Sequence, residues 1–331
     1  MLNFNEEKVF GEHQNGVDII GKTQEIVGKL VEEGYSNVFY IGIGGTEFYA
    51  NQMLHIVKQA GSRLPLYVEN AADFCLEGNP NFSKDSIVFF ETISGDTKEL
   101  VDAIGKVKET GARIIGYVEK EGSPLYELCD YVVTTVGGAY YYWYTVTLTL
   151  MKHRGEFPQY DKFFEEIKSM PANVVSIYKQ ADAKAKEYAD KYCDEPLQYL
   201  VGSGNLEDWA HCYGMCVMEE MQWLKTRTVS AANFFHGTLE VIERDVPVIL
   251  IKGEDVSRPL MDRVENFVHK ISEKVTVFDS KDLVMEGISD EFRGLLGPIM
   301  MRSAFQRISA HLEYNRKHPL PIRRYYRRLD Y

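Results

Sequence analysis

Two stretches, each an apolar run that breaks into a glycine-rich turn, constrain the fold of this chain most. Residues 39–46 read FYIGIGGT and residues 198–205 read QYLVGSGN, about 160 positions apart. Each apolar run is too short for a buried helix, is rich in β-branched and aromatic residues, and leads through glycines into helical periodicity. That is the pattern of a parallel strand feeding a helix. The neighbouring segments repeat in the same order: VPVILIKGED (246–255) echoes SIVFFETISGD (86–96), and KVTVFDS (274–280) echoes ARIIGYVE (112–119).

The first half reads as strands over 38–43, 64–69, 86–92, 112–119 and 131–136, with helices over 46–60 and 96–109. Residues 140–195 read as helical with breaks at Pro158 and Pro171. The second half repeats the plan, with a helix over 206–223, a short strand over 226–231 and a final helix over 291–315. Strands alternating with helices imply βαβ units and parallel sheets covered on both faces. The expected fold class is α/β: two doubly wound parallel-sheet modules (flavodoxin-like) in tandem, over 15–155 and 175–315, with a C-terminal helix and a basic tail over 316–331.

Composition narrows the function. Among 331 residues, 37 Lys and Arg stand against 49 Asp and Glu, a net charge of −12. An acidic body is a poor nucleic-acid ligand, because duplex binding needs clustered cations to displace phosphate counterions. The last sixteen residues, RKHPLPIRRYYRRLDY, carry a local +5, leaving −17 on the rest. With Tyr325, Tyr326 and Tyr331 among them, these residues read either as a docking segment or as a solvated terminus. No apolar run approaches the roughly 20 residues that span a bilayer, and the N-terminus lacks a secretory pattern. Five cysteines without a C-x-x-C pair fit reduced thiols and a cytoplasmic location. His211, Cys212 and Cys216 share helical spacing, but with no second ligand pair they read as core residues and no metal is expected.

Ligands of open α/β sheets bind beyond the carboxyl ends of the strands. There the first half offers Thr92-Ile93-Ser94-Gly95-Asp96-Thr97, three hydroxyls and a glycine ahead of a helix, and Gly44-Gly45-Thr46 opens the preceding helix. Converging hydroxyls, backbone N–H groups and a helix N-terminus suit a phosphate, although any one of these residues alone would read as a helix cap. The second-half counterpart, Lys252-Gly253-Glu254-Asp255-Val256-Ser257, has lost most of the hydroxyls. Dinucleotide, P-loop, zinc-protease and serine-hydrolase motifs are absent or incomplete.

In the second half, Glu219 and Glu220 sit side by side near the end of the expected 206–223 helix. Glu220 shares a face with Cys216, Tyr213 and Trp209, which would desolvate a carboxylate and make it a stronger base. Glu219 neighbours Met215 and Cys212, so periodicity does not choose between the two. His236, in Asn233-Phe234-Phe235-His236-Gly237, reads either as a packed core histidine or as an exposed residue at a strand end.

These residues resemble the sugar isomerase (SIS) family of two-module phosphosugar proteins. The 92–97 turn looks like its S-x-S-G-[DE]-T phosphate loop, with Thr92 in place of the first Ser, and Gly44-Gly45-Thr46 looks like its first glycine turn. Within the family, the likeness is nearer to fructosamine-6-phosphate deglycases. It is carried by Met218-Glu219-Glu220-Met221-Gln222-Trp223, Phe235-His236-Gly237, His318-Pro319-Leu320 and Arg323-Arg324-Tyr325, and it spans almost the whole chain. The resemblance implies Glu220 as catalytic base and His236 as ring-opening or proton-shuttling group. It implies substrate contacts from Gly45, Thr46, Thr92, Ser94, Gly95, Thr97, His318 and Arg323. The isomerases' Lys-Thr element is replaced here by Gly138-Ala139-Tyr140-Tyr141-Tyr142-Trp143-Tyr144. That departure argues against amidotransferase-type isomerisation and leaves open which aromatics meet an amine.

What the resemblance implies is a cofactor-independent deglycase that cleaves a phosphorylated Amadori adduct, such as fructoselysine 6-phosphate, to glucose 6-phosphate and an amino acid. Aldose–ketose isomerisation or deamination of an amino-sugar phosphate is the alternative within enzymology, and a non-catalytic sugar-phosphate sensor the alternative outside it. The implied partners are a small sugar-phosphate adduct and further copies of the chain, as a homodimer or larger assembly, with neither nucleic acid nor membrane.

Overall fold

The structure, a computed structural model, describes residues 1–330; Tyr331, counted above among the tail aromatics, lies outside them. The chain forms two units, Phe10–Pro171 and Met1–Val9 with Ala172–Tyr331. Helix α1 (Glu6–Asp18) runs through the boundary.

In the first unit α2 (Ile20–Glu33) precedes β1 (Asn37–Gly42), α3 (Gly45–Gln59), β2 (Leu66–Asn70), α4 (Ala71–Glu77), β3 (Ser86–Thr92), α5 (Lys98–Thr110), β4 (Arg113–Val118), α6 (Pro124–Leu128) and β5 (Tyr131–Val133). The strands form one parallel sheet in the order β2-β1-β3-β4-β5, the doubly wound order in which ligands sit where β1 and β3 diverge. Every residue of β1 and β3 is buried, as a central parallel strand covered on both faces requires. Phe39, Ile41, Val88 and Phe90 pack on one face with Leu100, Ile104 and Val107 of α5. Each such side chain contributes on the order of 1.5–3 kcal/mol when buried.

Helices α7 (Ala139–His153) and α8 (Tyr160–Glu166) complete this unit. The aromatic run left open above is the first half of α7, and Tyr140 through Tyr144 are all buried. Tyr140 Oη donates to Gln52 Oε1 at 3.0 Å, Tyr142 Oη to the Ile115 carbonyl at 3.0 Å, and the Trp143 indole to Glu91. These aromatics build the core and do not offer a surface to a substrate amine.

The second unit holds α9 (Met170–Tyr192), β6 (Gln198–Gly202), α10 (Asn205–Tyr213), β7 (Thr226–Ser230), β8 (Val248–Lys252), α11 (Arg258–Ile271), β9 (Val275–Asp279) and α12 (Asp290–Arg316). Its sheet, β7-β6-β8-β9, is also parallel and repeats the first four positions of the other. The repeat is a residue-for-residue register: Val38 pairs with Leu66 and Phe39 with Val88, while Gln198 pairs with Thr226 and Tyr199 with Val248, each 160 positions on.

One expected helix departs from the reading. The segment over 206–223 is α-helical only to Tyr213, then widens into a π-helical turn over Gly214–Glu219. Glu220 N donates to the Met215 carbonyl and Gln222 N to that of Val217, both at 3.0 Å, five residues back. Gly214 lies so close to β7 that a Cβ there would meet Thr228 Cγ2 at 2.7 Å. The face argument that grouped Glu220 with Cys216, Tyr213 and Trp209 assumed 3.6 residues per turn, and the inserted residue cancels it. Among the described residues, no helix is long and apolar enough to cross a membrane.

Candidate active site

The sequence-derived candidates fall into both units. Gly45, Thr46, Thr92, Ser94, Gly95 and Thr97 lie in Phe10–Pro171, and Glu220, His236, His318 and Arg323 in the other.

At the carboxyl ends of β1 and β3, two hydroxyls close the turns themselves. Thr46 Oγ1 accepts from Ile43 N at 3.0 Å and lies 3.1 Å from the Ile43 carbonyl, and the buried Thr92 Oγ1 accepts from Gly95 N at 3.0 Å. Thr46 and Thr92 thus each make a hydrogen bond within their own turn. Ser94 and Thr97 are half-buried, and Thr97 stands at the N-cap position of α5. Gly95 has φ +70°, and a Cβ there would lie 1.9 Å from Ser123 Oγ. Only glycine fits this bend, which leads into the N-terminus of α5.

The second unit carries the same turn in a closed form. Gly44 (φ 60°, ψ −127°) and Gly204 (φ 56°, ψ −133°) adopt one conformation ahead of α3 and α10. At the position of Gly95, however, stands Asp255. Its Oδ2 accepts from Asn205 N at 3.2 Å, and its Oδ1 accepts from Ser257 N at 2.9 Å and from Ser257 Oγ at 2.5 Å. The position of Thr92 is taken by Lys252, a buried ammonium that bonds Asp262 at 2.8 Å and also Glu265. Burial pulls the Lys252 pKa down, but these carboxylates outweigh it and raise the value above the usual lysine range.

Glu219 and Glu220 have separate fates. Glu219 Oε1 accepts from Thr226 N at 3.2 Å and Thr226 Oγ1 at 2.6 Å, tying the π-turn to β7. Glu220 Oε1 instead meets Arg323 Nε of the C-terminal tail at 2.7 Å, while its Oε2 takes no hydrogen bond among the described residues. Where periodicity predicted an apolar wall, the structure supplies a cation. Arg323 Nη1 also donates to the carbonyls of Leu320 and Ile322 at 2.6 and 3.0 Å, which fixes the guanidinium. Around this pair is a pocket of about 570 Å³, with walls that include Trp223, Leu224, Arg324, Tyr325 and Tyr326.

Trp223, with φ +56°, holds the tail in place. His318 packs on its ring with centroids 4.1 Å apart, and the Arg324 guanidinium lies 4.0 Å from the ring centroid. Gln222 Nε2 donates to the His318 carbonyl at 2.9 Å. His318 thus braces the pocket wall without lining the pocket. The basic tail is docked on its own unit, and Arg323 finds its acid there. His236 sits elsewhere, on a short 3₁₀ turn after β7, exposed, while Phe234 is the buried member of that turn. Its ring has no hydrogen-bond partner among the described residues. Gly237, at φ 140°, reverses the chain behind it.

His211, weighed above as a metal ligand, lies with Nδ1 2.6 Å from Thr228 Oγ1, and burial lowers its pKa. The bonds of Asp255, the packing of the tail on Trp223 and the π-turn are not read from the sequence. Aligning 252–257 with 92–97 already puts Asp255 opposite Gly95 but does not show what its carboxylate bonds; the π-turn leaves no comparable trace.

Residues 33–154 match the SIS domain family. The chain is 27% identical to fructosamine deglycase FrlB of Bacillus subtilis (strain 168), over 93% of this chain and 95% of the relative. It is 21% identical to fructoselysine 6-phosphate deglycase of Escherichia coli (strain K12), over 91% and 88%. A solved Bacillus subtilis structure, a candidate phosphosugar isomerase, superposes with a TM-score of 0.89 at 24% identity, over 98% of this chain and 100% of that one. The fold of two parallel-sheet units is thus shared with that solved structure, residues 33–154 resemble the SIS domain family, and the chain is similar along nearly its whole length to fructosamine deglycases.

Proposed function

We propose that this chain is a metal-independent deglycase of phosphorylated sugar–amine adducts, cleaving a fructosamine 6-phosphate with water to glucose 6-phosphate and a free amino acid. The observation that carries the reading is Glu220: a carboxylate in a pocket of about 570 Å³, oriented through one oxygen by Arg323 and with the other oxygen unbonded. The names borne by the relatives, fructosamine and fructoselysine 6-phosphate deglycases, support the same substrate class.

The first module supplies the anchor. The phosphate is received at the turns of Gly45, Thr46, Thr92, Ser94, Gly95 and Thr97, beside the N-termini of α3 and α5. Anchoring at the phosphate spends binding energy away from the reacting carbons and restricts their motion. Glu220 carries the proton chemistry. After ring opening, Glu220 removes a proton from C1, beside the C2 ketone, and a proton returns at C2. The amino-ketone becomes a C1 imine, which takes up water and splits into the aldehyde of glucose 6-phosphate and the amine. Exposed and unbonded, His236 is suited to passing protons to the sugar oxygens. His318 acts through Trp223. Arg323 positions Glu220 and lends positive charge to the pocket.

The domain bounds proposed for the modules are 15–155 and 175–315, with the tail over 316–331. The assembly is proposed to be a homodimer or larger, and the location cytoplasmic. Incubating the chain with fructoselysine 6-phosphate and a panel of other phosphorylated adducts, and assaying glucose 6-phosphate, tests the reading. Release from at least one adduct is expected. Turnover of fructose 6-phosphate or glucosamine 6-phosphate alone would show an isomerase or deaminase, and binding without any turnover a sensor.

A further inference from the structure

The second module holds an anion of its own. Gly95 and Asp255 occupy one position of the shared register, 160 residues apart, and are followed two residues on by Thr97 and Ser257. In the first module that position is a bare glycine. In the second it places a carboxylate, with the residue only 9% exposed, on the first backbone N–H of α10, at the end where the aligned peptide dipoles attract negative charge. The carboxylate also takes the N–H and hydroxyl of Ser257, which start α11. Ser257 Oγ in turn lies 2.8 Å from Ser203 Oγ.

The cradle is shaped around this occupant. A Cβ on Gly204 would come within 2.2 Å of Asp255 Oδ2. Helix α12 presses on the same turn, since a Cβ on Gly294 would meet the Glu254 carbonyl at 2.9 Å and Asp255 N at 3.0 Å, and Arg293 Nε pairs with Glu254 at 2.9 Å. A simple capping residue would need only the contacts to Ser257, two positions away. The bond to Asn205, fifty positions back, joins two helix N-termini through one anion, as a bound phosphate group would.

We propose that Asp255 is a built-in substitute for phosphate: the second module retains an anion seat, which the chain's own carboxylate fills. Each chain then offers one seat to a sugar phosphate, and the second module stays ordered without a ligand. Removing the carboxylate reopens a second seat, of the class that takes inorganic phosphate or sulfate. The inference rests on reading the 92–97 turn as a phosphate seat, and the test separates the two.

The test uses full-length protein, equilibrium dialysis against labelled inorganic phosphate, and melting in phosphate or chloride at equal ionic strength. Asp255→Gly restores the first module's residue. It is expected to melt below wild type in chloride, to regain more of that loss in phosphate than wild type gains, and to bind one more phosphate per chain. The extra site should persist when Ser94→Ala and Thr97→Ala are added. Asp255→Asn keeps the shape without the charge, and is expected to melt lower without gaining a site. If wild type binds no phosphate but Asp255→Gly binds one, the 92–97 reading fails and this proposal stands. If Asp255→Gly gains no site, or if Asp255→Asn melts as wild type does, the proposal is overturned. Should Asp255→Gly fail to fold in chloride, phosphate must restore its folding, and failure to do so also overturns the proposal.

Discussion

The two modules share strand order, register and glycine turns, yet one third-strand turn is open and the other is shut from within. A single position accounts for most of the contrast. At Gly95 the absence of a side chain lets the turn bend at positive φ against Ser123; at Asp255 a carboxylate satisfies the same kind of helix N-terminus. Duplicated folds need not keep duplicated sites. The module closed at this turn also carries Glu220 and the pocket around it.

The comparison breaks most sharply if Gly95→Asp leaves phosphate binding intact. A side chain there must clear Ser123 Oγ, and an added carboxylate would compete for the seat, so binding of phosphate and of substrate should fall below detection. Left-handed backbone alone costs a non-glycine residue about 1 kcal/mol or more, so melting, measured beside dialysis, should also drop.

Next in size is Glu220→Gln, expected to lower kcat by roughly 10²–10⁴-fold, the range for a lost general base. KM should hardly move, because the phosphate anchor does not involve the Glu220 carboxylate. Undiminished turnover would remove Glu220 from its role, and Glu219→Gln would become the variant to assay. Ser94→Ala and Thr97→Ala should act in the opposite sense, each raising KM by roughly tenfold while kcat changes less. A hydrogen bond to a charged group is worth about 1.5–3 kcal/mol at most. Steady-state kinetics on all three variants would show whether anchor and base are divided as the two turns suggest.

The smallest effect concerns pH. His211 stands 160 positions after Asn51, and burial depresses its pKa. The unfolded chain then binds the proton more readily than the native one, so this residue contributes stability above the unfolded value, near 6.5. That contribution is lost as pH falls through the depressed folded value. His211→Asn, which installs the first module's residue, should flatten stability against pH below about 6.5, by less than about 1 kcal/mol. Urea melts at several pH values would measure it.

Much of the fold was legible because strand burial writes itself into composition. Runs such as VFYIGI and SIVFFET announce central parallel strands, and the glycines after them announce the turns. The site was legible only in part. Ser94, Gly95 and Thr97 stand in one local turn, where spacing and conformation go together. Glu220 and Arg323 are 103 residues apart, and nothing local joins an acid at a helix end to a cation in a tail. Their pairing depends on the π-turn, which shifts Glu220 off its expected face, and on Trp223, against which His318 and Arg324 pack.

The sequence by itself determined the two-module α/β plan, the repeat near 160 residues and the identity of the hydroxyl turn, because each is fixed by short-range periodicity and steric demand. The tertiary structure alone decided that Tyr140–Tyr144 build core, that Thr46 and Thr92 bond within their own turns, that Glu219 is tied to Thr226 while Glu220 faces Arg323, and that Asp255 takes the N–H groups of Asn205 and Ser257. Each of those outcomes turns on which groups distant in sequence come within hydrogen-bonding distance, and that is set by packing, which periodicity does not encode.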